Sequence, residues 1–83
     1  VDVTIYPNPV KDVLQLQVET SVAKTLELQV LGTDGRIMLS QKITVTAGTT
    51  ITPVNTMALL KGIYFLRVTC ADESPGVLRF QKQ

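Results

Sequence analysis

The stretch Val13–Val18 has the sequence VLQLQV, and the stretch Leu26–Val30 has the sequence LELQV. In both, apolar and polar side chains alternate with a period of two, which is typical of a β-strand with one buried face. Such alternation favours an antiparallel sheet, because the strands of a parallel sheet are covered on both faces and apolar throughout. These two stretches therefore predict an all-β, antiparallel fold.

The rest of the chain continues the same pattern of short strands and turns. Further strands are predicted at Val3–Tyr6, Arg36–Gln41, Ile43–Val45, Thr49–Thr52, Gly62–Thr69 and Val77–Gln81. Turn signals are Pro7-Asn8-Pro9, Thr33-Asp34-Gly35, Ala47-Gly48 and Asp72–Gly76 with its Pro75, while Asn55–Leu60 has room for one helical turn. Pro7 and Pro9 cannot donate to a ladder, so their segment must end an edge strand. Seven or eight such strands predict a β-sandwich.

Composition limits the size and the class of the protein. A chain of 83 residues is expected to form one domain, residues 1–83, and 45% hydrophobic content is enough for a core. The net charge of +1 and the small aromatic content argue against a nucleic-acid platform. No apolar run approaches the roughly 18 residues that span a bilayer. Because the sequence begins at Val1 without an initiator Met or a signal peptide, we expect an excised C-terminal piece of a larger protein.

The residues needed for common catalytic and metal sites are scarce. The chain has no His and one Cys, so neither a Ser–His–Asp nor a Cys–His arrangement nor a Cys/His metal cluster can be assembled. We considered Asp72 and Glu73 as calcium ligands, but an acidic, solvated hairpin tip is the simpler interpretation. Cys70 alternates with Tyr64 and Leu66 and is expected to be a small core residue. No enzyme activity, metal or cofactor is predicted.

Four segments stand out by their order and spacing. They are Tyr6-Pro7-Asn8-Pro9 with Asp12 after it, Asp34-Gly35-Arg36, Gly62–Val68 with its Gly-x-Tyr start, and Arg79-Phe80-Gln81-Lys82. Together they resemble the start motif, the mid-domain Gly-Arg turn, the Gly-x-Tyr strand and the basic ending of the C-terminal sorting domain (type A) of the bacterial type IX secretion system. The resemblance covers nearly the whole chain. One departure is Gly32, where that family often has Asp or Asn three residues before the turn glycine.

The resemblance implies both a fold and a function. The fold is an immunoglobulin-like antiparallel β-sandwich of about seven strands, at the end of a cargo protein of the Bacteroidetes phylum. The function is a sorting signal that directs its parent through the periplasm and an outer-membrane translocon to the cell surface or the medium. In many members a sortase-like cysteine protease removes the domain and attaches the cargo to a lipopolysaccharide, whereas in others the domain stays on.

The implied partners are the type IX outer-membrane translocon and sortase-like surface proteins. Neither nucleic acid nor direct membrane insertion is expected. An exposed edge strand could in addition pair with a second copy and give a homodimer.

On this basis we expect the strand Gly62–Thr69 and the last strand to form the recognised surface. Gly62 would begin its strand where a side chain is unwelcome, and Tyr64 would pack its ring with its hydroxyl at the surface. Cationic side chains at exposed positions near one sheet edge would face an acidic partner. The candidate recognition residues are Gly62, Tyr64, Arg67, Arg79, Phe80 and Lys82, of which Arg67, Arg79 and Lys82 are the exposed cations; Asp34, Gly35 and Arg36 form the turn.

Some alternatives stay open. Arg79 and Lys82 could simply keep a strand face soluble. Pro7, Asn8 and Pro9 are expected to form a rigid entry into the first core strand and to mark where the domain begins. The alternative is a retained immunoglobulin-like docking or adhesion module of an extracellular protein. Such a module would still function if it were moved away from the carboxyl terminus, whereas a sorting signal would fail there. A carbohydrate-binding sandwich usually exposes several aromatics, and this chain has only four.

Overall fold

The computed structural model describes residues 1–71 and 73–83, with the side chains of residues 73 and 74 left out. Within these residues the chain forms seven strands. They are β1 (Asp2–Tyr6), β2 (Val13–Thr20), β3 (Lys24–Leu31), β4 (Ile37–Val45), β5 (Gly48–Asn55), β6 (Gly62–Cys70) and β7 (Glu73–Lys82). None of the described residues belongs to a helix of the length and apolar character needed to cross a membrane.

The strands form two antiparallel sheets, with orders β1-β2-β5 and β4-β3-β6-β7. The chain passes from one sheet to the other after β2, after β4 and after β5, which is the connectivity of an immunoglobulin-like sandwich. The predicted fold class is confirmed. β1 lies at the edge of its sheet, as the two prolines that follow it require.

The core lies between the sheets and is built from the alternating residues. On β2 the buried side chains are Leu14, Leu16 and Val18, and on β3 they are Leu26, Leu28 and Val30. All six belong to one buried cluster, which confirms the alternation predicted for these two strands. Burial of each such side chain contributes roughly 1.5–3 kcal/mol, so these strands are a main source of stability.

The predicted strand boundaries differ from the structure most at three places. The two strands predicted at Arg36–Gln41 and Ile43–Val45 form one continuous strand, β4, because its solvent-facing edge tolerates Lys42. β7 begins at Glu73 instead of Val77, and its edge position accommodates Pro75. Asn55 belongs to β5, and residues 56–60 form a hydrogen-bonded turn without a helix. Asp72 of the predicted turn lies outside the described residues.

Candidate functional site

The four motif segments meet at one end of the sandwich. β1, β3, β5 and β7 end there, and β2, β4 and β6 begin there, as the strand registers require. The two sheets are joined at this end by a parallel bridge between Val10 and Lys82. We call this end the motif pole and define it as residues 7–12, 32–36, 56–64 and 79–83.

Asn8 ties the first motif to the last strand. Its side-chain Oδ1 accepts the N–H of Gln81 at 2.9 Å, and its Nδ2 donates to the carbonyl of Arg79 at 3.3 Å. Val10 continues the pairing: its N–H donates to the Gln81 carbonyl at 2.8 Å, and its carbonyl accepts the N–H of Gln83 at 2.8 Å. The segment around Asn8 therefore acts as a short additional neighbour to the outer edge of β7.

This arrangement corrects one interpretation of the Pro-Asn-Pro segment. Pro7, Asn8 and Pro9 join β1 to β2, and β1 pairs with β2 over residues 2–6. β1 precedes the motif, so the motif does not mark where the domain begins. It does lead directly into β2, the first strand with fully buried side chains. The Tyr6–Pro7 and Asn8–Pro9 peptide bonds are both cis.

Tyr64 and Phe80 form the aromatic part of the pole. They are register partners on β6 and β7, and their rings stack with centroids 5.8 Å apart. The Tyr64 hydroxyl donates to the carbonyl of Leu60 at 2.7 Å. A tyrosine near the start of the sixth strand that bonds backwards across the preceding corner is the tyrosine corner of immunoglobulin-like domains. Tyr64 is 8% exposed as a whole, and its hydroxyl is occupied by this internal bond.

Lys82 is also buried, contrary to the expectation of an exposed cation. Its side chain is 6% exposed, and its Nζ donates to the carbonyl of Leu59 over 3.4 Å. The physical reason is strand parity: Lys82 lies two residues after Phe80, so both point to the core side of β7. The position of Phe80 in the sequence pattern was the signal that could have shown this.

The turn after β5 is fixed by a further set of hydrogen bonds that the sequence did not indicate. Both the N–H and the hydroxyl of Thr56 donate to the carbonyl of Asp12 at 2.8 Å, and Thr56 is fully buried. The Leu59 N–H donates to the Thr56 carbonyl at 2.9 Å, and the Leu59 side chain is buried in the core. This turn thus joins the β1–β2 connection to the start of β6.

The Asp34-Gly35-Arg36 turn connects β3 to β4. The N–H of Gly35 donates to the Gly32 carbonyl at 3.0 Å, and the Asp34 carboxylate accepts the N–H of Arg36 at 3.0 Å. Gly35 has a φ of 83°, which a residue with a side chain rarely adopts. A Cβ at Gly32 would lie 3.0 Å from the Asp34 carboxylate, so glycine gives this carboxylate the space it occupies. Asp34 supplies the side-chain bond of the turn.

Gly62 begins β6 as predicted, and the reason is its backbone. Its φ is 154°, a conformation that favours glycine, whereas a Cβ built there would meet no heavy atom within 4 Å. A side chain is therefore disfavoured by conformation and not by crowding.

Arg67 and Arg79 lie on the outer face of the four-stranded sheet but differ in their surroundings. Arg67 is half-buried on an inner strand, and its Nε donates to Gln29 Oε1 at 2.9 Å, with a second bond from its Nη2 to the same oxygen. Arg79 is exposed on the edge strand β7. The expectation of an exposed cation is wrong for Arg67 and Lys82 and holds for Arg79 alone of the three.

The exposed charges of the pole are predominantly positive. The exposed cations there are Lys11, Arg36, Lys61 and Arg79, and the exposed anions are Asp12 and Asp34. The Arg36–Asp34 pair, at 3.9 Å and largely exposed, contributes little to stability. At the opposite end, Asp2 and Glu19 are register partners on β1 and β2. Lys24 begins β3 at that same end, so the opposite end carries charges of both signs.

The remaining chemical candidates lie away from the pole. Cys70 is half-buried and packs against the core, as predicted, and it lines a cleft with Val3, Leu26 and Leu78. Within residues 1–71 and 73–83, no three Asp, Glu, Cys or His residues come together as metal ligands. Asp72 and the Glu73 side chain, considered as calcium ligands, lie outside the described residues.

The described residues form a small all-β sandwich whose hydrogen bonds join several segments at one end. A family model described as the secretion system C-terminal sorting domain matches residues 4–75. The chain belongs to this family of C-terminal sorting signals for type IX secretion, which is not an enzyme family. The match ends at Pro75, so the Arg79–Lys82 segment lies beyond it. No curated protein matches the chain.

Proposed function

We propose that the secretion machinery recognises this domain as a folded body, at the motif pole. In this proposal the parent protein crosses the periplasm, meets the outer-membrane translocon through the pole, and then reaches the cell surface or the medium. The observation that supports it is the convergence of the four motif segments on one end. Hydrogen bonds from Asn8, Thr56, Tyr64 and Lys82 link three of these segments and the turn after β5, while the Asp34-Gly35-Arg36 turn is held by bonds of its own. Residues scattered along the sequence thus become one surface.

The candidate recognition residues divide into two roles. Gly62, Tyr64, Phe80 and Lys82 position the pole, since three are buried and Gly62 sets the backbone at the start of β6. Arg79 contacts the partner. Its carbonyl is held by Asn8, so its side chain projects from a fixed strand, and a guanidinium suits an acidic partner surface. Arg67 assists from the neighbouring position on the outer face.

Delivery of a reporter tests this role of Arg79. The domain is fused behind a folded reporter in a host with a working type IX system, and reporter at the cell surface is compared with reporter in the periplasm. Arg79→Ala should reduce surface delivery, whereas Lys42→Ala, which removes an exposed cation from β4, should leave it unchanged. Both variants should unfold at the wild-type temperature. Normal delivery of Arg79→Ala would rule out the proposed contact.

A sortase-like surface protein is the second proposed partner. Residues 2–6 are paired with β2, so they are not available as an extended protease substrate, and a cut would fall in chain ahead of β1. Mass analysis of the mature parent protein on its native cell shows whether the domain is removed there. A fragment cut within β1 would contradict this placement.

We also propose pairing of two copies through an exposed sheet edge, and β4 offers the longer free edge of its sheet. Sedimentation of the purified domain over a range of concentrations tests this. A monomer at all concentrations would exclude the homodimer.

A further inference from the structure

The turn after β5 displays two apolar side chains to solvent. Leu60 is 81% exposed and Met57 is 66% exposed, the highest values among the large hydrophobic residues that the structure describes. They lie three residues apart on one turn at the motif pole, while Leu59 between them is buried. We propose that Met57 and Leu60 are the anchor by which the domain binds an apolar pocket, rimmed by carboxylates, on a protein of the secretion machinery.

The first support is the rigidity of the turn. The Thr56 N–H and hydroxyl fix its beginning to Asp12, and the Asn55 carboxamide accepts the N–H of Met57 at 2.9 Å. Its end is held by side chains of β6 and β7, which bond to the carbonyls of Leu59 and Leu60. A binding partner therefore does not have to order this turn, which lowers the entropic cost of association.

Tyr64 and Lys82, which belong to two different motifs, both stabilise this turn. Tyr64 and Lys82 are buried, yet they direct their polar ends to two consecutive carbonyls of the same turn. Both motifs therefore stabilise the segment that presents Leu60. Met57 and Leu60 lie largely outside the core, so the rigid turn holds their apolar side chains available for contact with a partner.

The second support is the charge around the anchor. Lys61 follows Leu60 directly and lines a shallow groove of about 470 Å³ together with Arg36, Met38 and Tyr64. Cations beside exposed apolar side chains fit a partner whose apolar pocket has an acidic rim. A protein partner is favoured over an anionic lipid surface, because membership of the sorting-domain family implies interaction with the type IX secretion machinery.

The test uses the reporter fusion, and the proposal rests on the sorting role described above. Met57→Gln with Leu60→Gln removes the anchor, and Val22→Gln with Ile51→Gln is the matched control, since both are 54% exposed and lie outside the pole. We expect surface delivery of the first double variant to fall roughly tenfold or more, as for loss of central interface residues. The control should be delivered as wild type. An unfolding temperature close to that of wild type, measured on each purified double variant, shows that both remain folded.

The outcomes separate the two proposals. If the wild-type fusion itself is not delivered, the sorting role fails; if it is delivered and Met57→Gln with Leu60→Gln is delivered equally, the anchor proposal is wrong. Lys61→Gln should reduce delivery and Lys42→Gln should not, and equal effects would contradict the acidic rim. Vesicles of equal parts phosphatidylcholine and phosphatidylglycerol test the lipid alternative. Binding of the wild-type domain, lost in the Met57→Gln, Leu60→Gln variant, would overturn a protein partner.

Discussion

The side chain of Asn8 pairs with the backbone beside Gln81 much as a neighbouring strand would. It accepts the Gln81 N–H and donates to the carbonyl two residues earlier. An unpaired edge would invite pairing with other chains, so this contact covers part of the outer edge of β7. It also joins two segments that are 73 positions apart in sequence.

Replacement of Asn8 should therefore weaken the pole. Asn8→Ala removes both hydrogen bonds and should lower the free energy of unfolding by about 1–2 kcal/mol. Asn8→Asp keeps the acceptor for Gln81 but places a carboxylate oxygen against the Arg79 carbonyl, and the repulsion between these two oxygens should keep this variant less stable than wild type. Denaturant unfolding of the purified domain measures both. Equal midpoints for Asn8→Ala and wild type would show that the pairing does not stabilise the domain.

The tyrosine corner can be tested by removal of one oxygen atom. Tyr64→Phe keeps the ring stacked on Phe80 and leaves the Leu60 carbonyl without its donor, at an expected cost of about 1 kcal/mol. Tyr6→Phe is the control, because Tyr6 is 40% exposed whereas Tyr64 is 8% exposed. Thermal unfolding should show a lower midpoint for Tyr64→Phe only. A similar decrease in both variants would contradict the role of the corner bond.

The domain should tolerate the loss of the positive charge at Lys82 better than its replacement by a negative charge. Lys82→Met keeps a long apolar stem in the buried site and gives up one long hydrogen bond, so the cost should be about 1 kcal/mol or less. Lys82→Asp places an unpaired carboxylate beside a carbonyl in a buried site and should cost about 3 kcal/mol or more.

Lys82→Met also shows whether Lys82 positions the turn or contacts the partner directly. If Lys82 only positions the turn, a fusion bearing folded Lys82→Met should be delivered to the cell surface like wild type. Lost delivery of this variant, with unchanged unfolding, would mean that the ammonium itself touches the partner.

Gly62 and Gly76 form a matched pair that tests whether backbone conformation explains the glycine at position 62. Gly62 has a φ of 154°, whereas no positive φ is found at Gly76, and a Cβ at either position would meet no atom within 4 Å. Gly62→Ala should destabilise the domain by about 1 kcal/mol or more, while Gly76→Ala should be neutral or slightly stabilising. Chemical denaturation of the two variants measures the difference. If both changes have the same effect, the conformation of Gly62 does not explain its presence.

The sequence predicted the parts of the fold that depend on local pattern. The alternation of Leu14, Leu16 and Val18 defined β2, because that strand has one core face and one polar face. β4 was divided in error at Lys42, because an edge strand with two largely exposed faces carries little alternation. Pro75 suggested a turn, since the edge position that makes proline acceptable becomes visible only in the assembled sheet.

The candidate site was less predictable because its contacts are distant in sequence. Strand parity with Phe80 could have placed Lys82 inside, but the charge of the side chain favoured an exposed position. The bond from Thr56 to Asp12 continues the β2–β5 pairing one position beyond Val13 and Asn55, and it joins positions 44 apart in sequence, so it leaves no periodic signal. Asn8 was interpreted through its neighbouring prolines, and its partner on β7 follows only from the three-dimensional fold.

Hydrogen exchange at Gln81 tests most directly whether the motif pole is one connected unit. Alternation along β7 places the N–H groups of Gln81 and Val77 on the same outer edge, where Asn8 covers only Gln81. Nuclear magnetic resonance of the purified domain should therefore show slow exchange at Gln81 and fast exchange at Val77. Equally fast exchange at both positions would contradict the connection between the first motif and the last strand.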